Sequence, residues 1–340
     1  MIAGIKEQAA VDFVLALRRR WADTLYPALV EQTAAIDPAS DTLDTVAAVH
    51  ALPSWRWFAW LERGSQKMLW RVASDAIGAH DPAPAPTAHL PEWYTGCDIH
   101  LQPGGVWRNA RSAALYELGA RLVMLGENDD YAFHHLFVSS AVPPASYCRI
   151  VDLGCGFGKS TWPLKMAFPD AEVVGIDLAE TCLALARRHC EERGLAVTFQ
   201  CADAVATGLD DDYADLVTST MLIHEMPGDQ LVALYREAAR VLAPGGILRF
   251  LDFQPTGQWL RDLMIVEHGD RNNEPYLAPM MAQDQVALAR AAGFEEVRWR
   301  AFDERGVGLL PDLRWPDRRE WHFPWTVLEA RLPLATGLRA

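Results

Sequence analysis

The sequence predicts an α/β fold: a doubly wound, mostly parallel sheet of seven strands with an antiparallel hairpin at its edge, preceded by an α-helical N-terminal segment. Three observations predict it. From about residue 148, short β-branched runs alternate with helical ones, the pattern of parallel strands buried on both faces. Three glycines stand at alternate positions in "IVDLGCGFGKS", residues 150–160, immediately after the first of those runs. Ahead of both lies a long stretch with apolar residues at helical spacing.

The elements follow in chain order. Up to about residue 80, "VDFVLALRRRWADTLYPALVEQ" and "SWRWFAWLERGSQKMLWRVASDAI" read as helices, and seven of the 13 tryptophans fall before residue 110, a density expected of a packed helical core. "DPAPAPTAHLP", residues 81–91, carries four prolines, which remove backbone donors and fix extended geometry, so it reads as a linker or hinge. In "GCDIHLQPGGVW" the alternation of Asp98, His100 and Gln102 predicts an extended segment with the three on one face. These features make 1–110 a helical lid or substrate domain and 111–340 the core. Within the core, "CRIVDLG", "EVVGIDL", "VTFQCAD", "ADLVTSTML" and "ILRFLDF" are strands, with helices between them in "KSTWPLKMAF", "AETCLALARRHCEERG" and "GDQLVALYREAARVL". An insertion over 254–282 follows the fifth strand, then a helix in "AQDQVALARAAGF", and "EEVRWRAF" and "WTVLEARL" form the edge hairpin.

The totals narrow the partners. With 340 residues, half of them hydrophobic, the chain buries a sizeable core, and a formal net charge of −14 argues against a nucleic-acid or anionic membrane surface. A small molecule is the expected partner. Six scattered cysteines lack zinc spacing and read as reduced thiols, and no uncharged apolar run of membrane length occurs, so a cytoplasmic protein is expected. The sequence leaves the oligomeric state open, a dimer among the options.

Which ligand suits the glycine turn is a question of charge. A phosphate-binding P-loop would need glycine at position 153, which is Leu153. A dinucleotide turn wants its third glycine one residue later, and Asp152 would face the pyrophosphate from the strand end. S-adenosylmethionine carries an ammonium and a sulfonium and no phosphate, so a carboxylate beside the turn favours it.

"VDLGCGFGKS", "VVGIDLAE", "CADA", "ADLVTSTMLIHEMP" and "VLAPGGILRFLDF" resemble, in order and spacing, the segments of class I S-adenosylmethionine-dependent methyltransferases, and "MLIHEMPGDQLVALYREAARVLAPGG" is similar to small-molecule C- and O-methyltransferases of quinone biosynthesis. The resemblance covers roughly residues 110–255 and implies a Rossmann-like core. It implies that Asp152, Gly154, Cys155, Gly156 and Gly158 surround the cofactor, that Asp177 accepts from the ribose hydroxyls with Leu178 on the adenine, and that Asp203 and the Ala204 amide meet the adenine edge. Helix capping is the other reading of Asp177, and a plain turn role that of Asp203. Ser219, Thr220 and Met221 would lie beside the methionine moiety.

Methyl transfer is an in-line displacement that needs alignment and desolvation, with a base only for a protonated acceptor. His224 in "LIHEMP" is the expected base, with a structural role in the turn as its rival, and Glu225 is expected to begin a helix. Asp98 and His100 are candidate catalytic residues lining the acceptor pocket, with a solvated strand edge as the other reading, and polar residues of "VEHGDRNNEPY", 266–276, are expected to add contacts. His134 and His135 could join His100 or His224 on a metal, but such scattered histidines do not make a site, and no metal is expected. Two other functions share these motifs: non-methyl chemistry, either aminocarboxypropyl transfer or cyclisation releasing methylthioadenosine, and cofactor binding without catalysis. A nicotinamide dehydrogenase is a more distant option.

Overall fold

A computed structural model describes residues 5–36, 42–77, 90–102, 104–125 and 131–334. The proline-rich hinge expected at 81–91 lies almost wholly outside the described residues.

The N-terminal region is helical, as its periodicity predicts: α1 (Ile5–Arg20) runs through a π-turn, Trp21–Leu25, into α2 (Tyr26–Thr33), and α3 (Thr42–Ala51) leads to the long α4 (Pro53–Ile77). A single turn, α5 (Glu92–Thr95), precedes α6 (Ala110–Val123), whose first residue sits at the expected domain boundary and whose N-cap Asn109 accepts from the Ser112 amide. α7 (Ala132–Ala141) then leads into the sheet. Trp21, Trp55 and Trp70 are buried as the tryptophan density predicts. Trp57 and Trp60 instead lie 58% and 63% exposed on the outer face of α4, where the helical period carries them away from its packed side.

The core follows the predicted rhythm. β1 (Arg149–Leu153), α8 (Thr161–Ala167), β2 (Glu172–Asp177), α9 (Glu180–Glu192), β3 (Thr198–Cys201), β4 (Ala214–Thr220), α10 (Gly228–Val241) and β5 (Leu242–Asp252) alternate, and β1 to β5 pair in parallel. From Ile150 to Leu153 and from Leu216 to Thr220 every residue is buried, because helices cover both faces. The 254–282 insertion holds α11 (Trp259–Asn272) and α12 (Leu277–Met281), followed by α13 (Gln285–Ala291), β6 (Glu295–Asp303), the short β7 (Gly308–Leu309) and β8 (Thr326–Arg331).

The sheet order is β3-β2-β1-β4-β5-β8-β6-β7. It has eight strands rather than seven, since Gly308–Leu309 adds a two-residue edge to β6. The last long strand does not lie at the edge: β8 inserts antiparallel between β5 and β6. The reason is burial, for the first five residues of β8 are all buried, which an edge position would not allow. Strand order reverses between β1 and β4, and the ligand crevice of such a sheet opens outside the strand ends at that point. Among the described residues no helix is long and apolar enough to cross a membrane, and all six cysteines are free.

Candidate active site

The carboxyl ends of β1, β2 and β5 each present an aspartate: Asp152, Asp177 and Asp252. They do different things. Asp152 is completely buried and accepts from Ser160 Oγ at 2.7 Å, Thr161 Oγ1 at 2.7 Å and Thr218 Oγ1 at 3.1 Å. It does not line the ligand cavity, so its charge fastens the glycine turn to the strands beneath instead of guarding the ligand, as the sequence suggested. Burial raises its pKa, and the three hydroxyls pull the other way.

Above that turn lies a cavity of about 620 Å³ including its mouth, lined by Gly154, Gly156, Asp177, Leu178, Asp203, Ala204 and Met221 of the expected residues. Gly156 has φ 53°, and a side-chain carbon there would stand 3.3 Å from the Tyr116 ring, so the cradle requires glycine. Besides Asp152, further expected residues lie outside the lining. Gly158 packs against Ala186 on α9, Cys155 turns into the cluster holding Trp162 and Phe199, and Thr220 is buried at the end of β4. Alternation explains Cys155 and Thr220, whose neighbours Gly154, Gly156 and Met221 face the cavity, but not Gly158, where the chain has already turned onto α9.

Asp177 accepts from the Gly156 amide at 2.8 Å through Oδ2 and from the Ala179 amide at 2.7 Å through Oδ1. It therefore fastens both the turn and the start of α9, and each oxygen keeps a further acceptor site toward the cavity. Burial raises its pKa to about 6, against the two amides. Asp203 accepts from the Val205 amide at 3.1 Å, the turn role weighed for it, while also lining the cavity. Tyr94 and Tyr116, which the sequence did not single out, close the cavity, and burial pushes both phenols up, so they stay neutral.

A second cavity of about 720 Å³ adjoins the first, and Tyr116, Met221 and Glu225 line both. His224 lies in its wall, 5% exposed, with Nδ1 at 2.7 Å from Asp252 Oδ1. Burial lowers its pKa, but the Asp252 and Glu225 carboxylates overcome this and raise it to about 9. Glu225 does not begin a helix: it ends a 3-10 turn, Ile223–Glu225, and α10 starts at Gly228. His100 Nε2 stands 3.4 Å from both Glu225 and Glu274, and its ring stacks on Tyr116 at 5.7 Å.

Of the alternating trio only His100 reaches this cavity. His100 and Leu101 take φ 56° and 53°, so the segment is not extended. Asp98 is exposed, accepting from the Gly104 amide at 2.8 Å, while Gln102 is buried and donates to the Gly105 and Ser112 carbonyls. From the 266–276 stretch, His268, Asn272 and Glu274 line the cavity. Among the described residues no group of three or more His, Cys, Asp or Glu side chains is placed to hold a metal ion.

Lys159, to which the sequence assigns no role, also belongs here. It is 3% exposed, with Nζ 3.3 Å from Tyr116 Oη and 3.5 Å from Met221 Sδ, and burial lowers its pKa against nearby carboxylates. No spacing in the sequence marks it. Asp252 was findable, since it repeats at β5 the strand-end position of Asp152 and Asp177.

Residues 150–246 match the family model for a methyltransferase domain. This segment is a class I S-adenosylmethionine-dependent methyltransferase domain. Similar proteins include a demethylmenaquinone methyltransferase of Thermus thermophilus, 42% identical over 143 residues, which are 42% of this chain and 63% of that one. A trans-aconitate 2-methyltransferase of Methylobacterium nodulans is 38% identical over 160 residues, 46% of this chain and 56% of that one. The chain thus spans less than two thirds of these relatives. A TehB-like methyltransferase structure from Corynebacterium glutamicum overlaps 65% of this chain and 98% of its own, at 17% identity and a TM-score of 0.44.

The residues present fit the cofactor of such domains. The first cavity offers a glycine cradle, the acceptor oxygens of Asp177 and Asp203, and the apolar face of Leu178, and among the side chains lining it there is no lysine or arginine to meet a phosphate.

Proposed function

We propose that the protein methylates a small acceptor that reacts as an anion, with Asp177, Leu178, Asp203 and Ala204 holding S-adenosylmethionine in the first cavity and the acceptor occupying the second. When bound, the cofactor supplies an electrophilic methyl group on a sulfonium. The observation that carries the reading is the junction of the two cavities at Tyr116, Met221 and Glu225, beside the His224–Asp252 pair.

His224 does not suit the base role expected from sequence. With its pKa raised to about 9 it keeps its proton at neutral pH, and Asp252 occupies Nδ1, leaving Nε2–H to meet an acceptor oxyanion. Lys159 adds a second cation on the same cavity. A carboxylate or a readily ionised hydroxyl arrives already deprotonated and needs no base. Gln66 and Trp70 of α4 also line this cavity, which supports a covering, water-excluding role for the N-terminal helices.

The test is product analysis. Incubation with S-adenosylmethionine and a panel of carboxylic acids and phenols should give S-adenosylhomocysteine and a methylated acceptor; methylthioadenosine instead would establish the non-methyl chemistry. Turnover should fall as pH rises through about 9, where His224 loses its proton. His224→Asn should lower kcat roughly a hundredfold and remove that limb. A rise in activity through the same range would make His224 a base and overturn the anionic-acceptor reading.

A further inference from the structure

The helix α4 carries two unlike faces. Its packed side holds Trp55, Phe58 and Leu69, and Gln66 and Trp70 line the acceptor cavity. On its outer side the helical period gathers Arg56, Trp57, Trp60, Arg63, Lys67 and Arg71 within an arc of roughly 120°, and all of them are exposed. Glu62, the acid of this stretch, is buried on the packed side, so nothing on the stripe offsets its cations. Arg63, Lys67 and Arg71 meet no carboxylate among the described residues, and Arg56 donates only to the His50 carbonyl. The indoles of Trp57 and Trp60 meet edge-on with centroids 5.7 Å apart, which makes them one apolar patch set among the four cations.

The charge of the whole chain hides this face. Residues 1–80 hold eight Lys and Arg against nine Asp and Glu, so the net charge of −14 lies almost entirely in the rest of the chain. An anionic surface would repel the acidic core and attract the stripe, which orients the molecule with α4 outward. A second copy of the chain fits poorly, because pairing through this face would set its cations against their own counterparts. Nucleic acid would be gripped by stacking on free ring faces, and the edge-on contact of the two indoles takes up one of them. Indoles beside long cationic side chains are instead what a bilayer boundary accommodates: the rings enter at headgroup depth while Arg and Lys reach the phosphates.

We propose that the outer face of α4 docks the protein on an anionic phospholipid surface, with Trp57 and Trp60 entering the headgroup boundary and Arg56, Arg63, Lys67 and Arg71 meeting lipid phosphates. The attachment is peripheral, along about 27 Å of helix over residues 53–71, and does not depend on which acceptor is methylated.

The experiment is co-sedimentation of the full chain with vesicles of phosphatidylcholine containing about 30% phosphatidylglycerol, and with vesicles of phosphatidylcholine alone. Partitioning should be roughly tenfold stronger onto the anionic vesicles at about 0.1 M salt and should fall steeply at about 0.5 M. Joint reversal by Arg63→Glu and Lys67→Glu should weaken it about twentyfold or more, at about fivefold for each cation lost. Trp57→Ser with Trp60→Ser should weaken it about tenfold with the charge unchanged. Arg188→Glu with Arg314→Glu, an equal reversal at exposed positions of the core, should leave it close to wild type. All these side chains project from the surface, so a urea midpoint near that of wild type certifies each variant as folded. Failure to bind the anionic vesicles, stripe variants that bind as wild type does, or a core reversal as damaging as the stripe reversal would overturn the proposal. So would stripe-dependent binding of a single-stranded oligothymidine that outcompetes the vesicles, or a wild-type dimer that the paired tryptophan substitutions dissolve.

Discussion

Asp177 joins two tasks in one carboxylate, fastening the Gly156 turn and the start of α9 while facing the cofactor cavity. The burial that makes it a good anchor also raises its pKa to about 6. Above that pH it is ionised and, in the role proposed for it, free to accept from ribose hydroxyls; below it, a proton takes one of the acceptor sites. S-adenosylhomocysteine affinity should therefore hold near neutrality and weaken as pH falls through 6, by at most tenfold per pH unit. Asp177→Asn should bind more weakly at all pH values and show no such slope, which titration calorimetry across the range will read. Its strand-end position was legible in the sequence, and so was its part in starting α9, seen in the bond from the Ala179 amide. Asp152 was placed on the right strand end but given the wrong task, since sequence shows that a carboxylate is present and not that Ser160, Thr161 and Thr218 take up its oxygens. Lys159 shows the opposite failure: its neighbours Tyr116 and Met221 are 43 and 62 positions away, so nothing local reveals that it is buried at the site.

At the scale of elements, alternating β and α runs were readable because the central strands are buried on both faces and the helices between them are amphipathic, whereas strand order at the edge was not. β8 sits between β5 and β6 through pairings made across the whole C-terminal region, which periodicity does not encode. Docking of α4 on α11 is equally non-local. Glu62 of α4 receives bonds from His268 Nδ1 at 2.6 Å and from Arg271 Nε, and His50 of α3 meets Glu267 at 2.5 Å. Burial works to raise the Glu62 pKa, but Arg271 and His268 win and hold it well below the ordinary carboxylate range. A carboxylate lowered on folding contributes stability that is present above its unfolded pKa and lost as pH falls toward the folded one. Glu62→Gln leaves a buried guanidinium with Glu267 alone, so it should destabilise the protein by about 3 kcal/mol near neutral pH. Denaturant unfolding should show the difference from wild type shrinking in acid, as Glu62 itself takes up a proton; a difference independent of pH would mean that shape, not charge, was lost.

Across the molecule, the N-terminal helices and the site are joined by a run of aromatic rings. Phe58 stacks on Trp21 with centroids 4.2 Å apart, and Trp21 meets Trp321 edge-on at 6.1 Å. From Trp321 the run continues through Phe323 at 5.6 Å and Trp325 at 5.5 Å to Phe253 at 4.4 Å, which lies 5.3 Å from His224. The segment before β8 is thus the hinge of the packing: it carries Trp321 against Trp21 of the π-turn and Tyr26 of α2, and its backbone is tied there by the Trp321 amide donating to the Ala22 carbonyl at 3.0 Å. Removing the ring should cost about 3–5 kcal/mol, the usual penalty for emptying a buried aromatic site. The loss should not be shared evenly, because β1 to β4 and the cofactor cavity are held by their own pairings and by Asp152 and Asp177. Trp321→Ala should therefore speed amide exchange in the π-turn and α2 and weaken binding in the acceptor cavity, while leaving exchange in β1 and β4 and the affinity for S-adenosylhomocysteine close to wild type. Exchange accelerating equally in β1 and β4 would show that helices and sheet open as one cooperative unit, and that the aromatic run supports the whole core and not its lid alone.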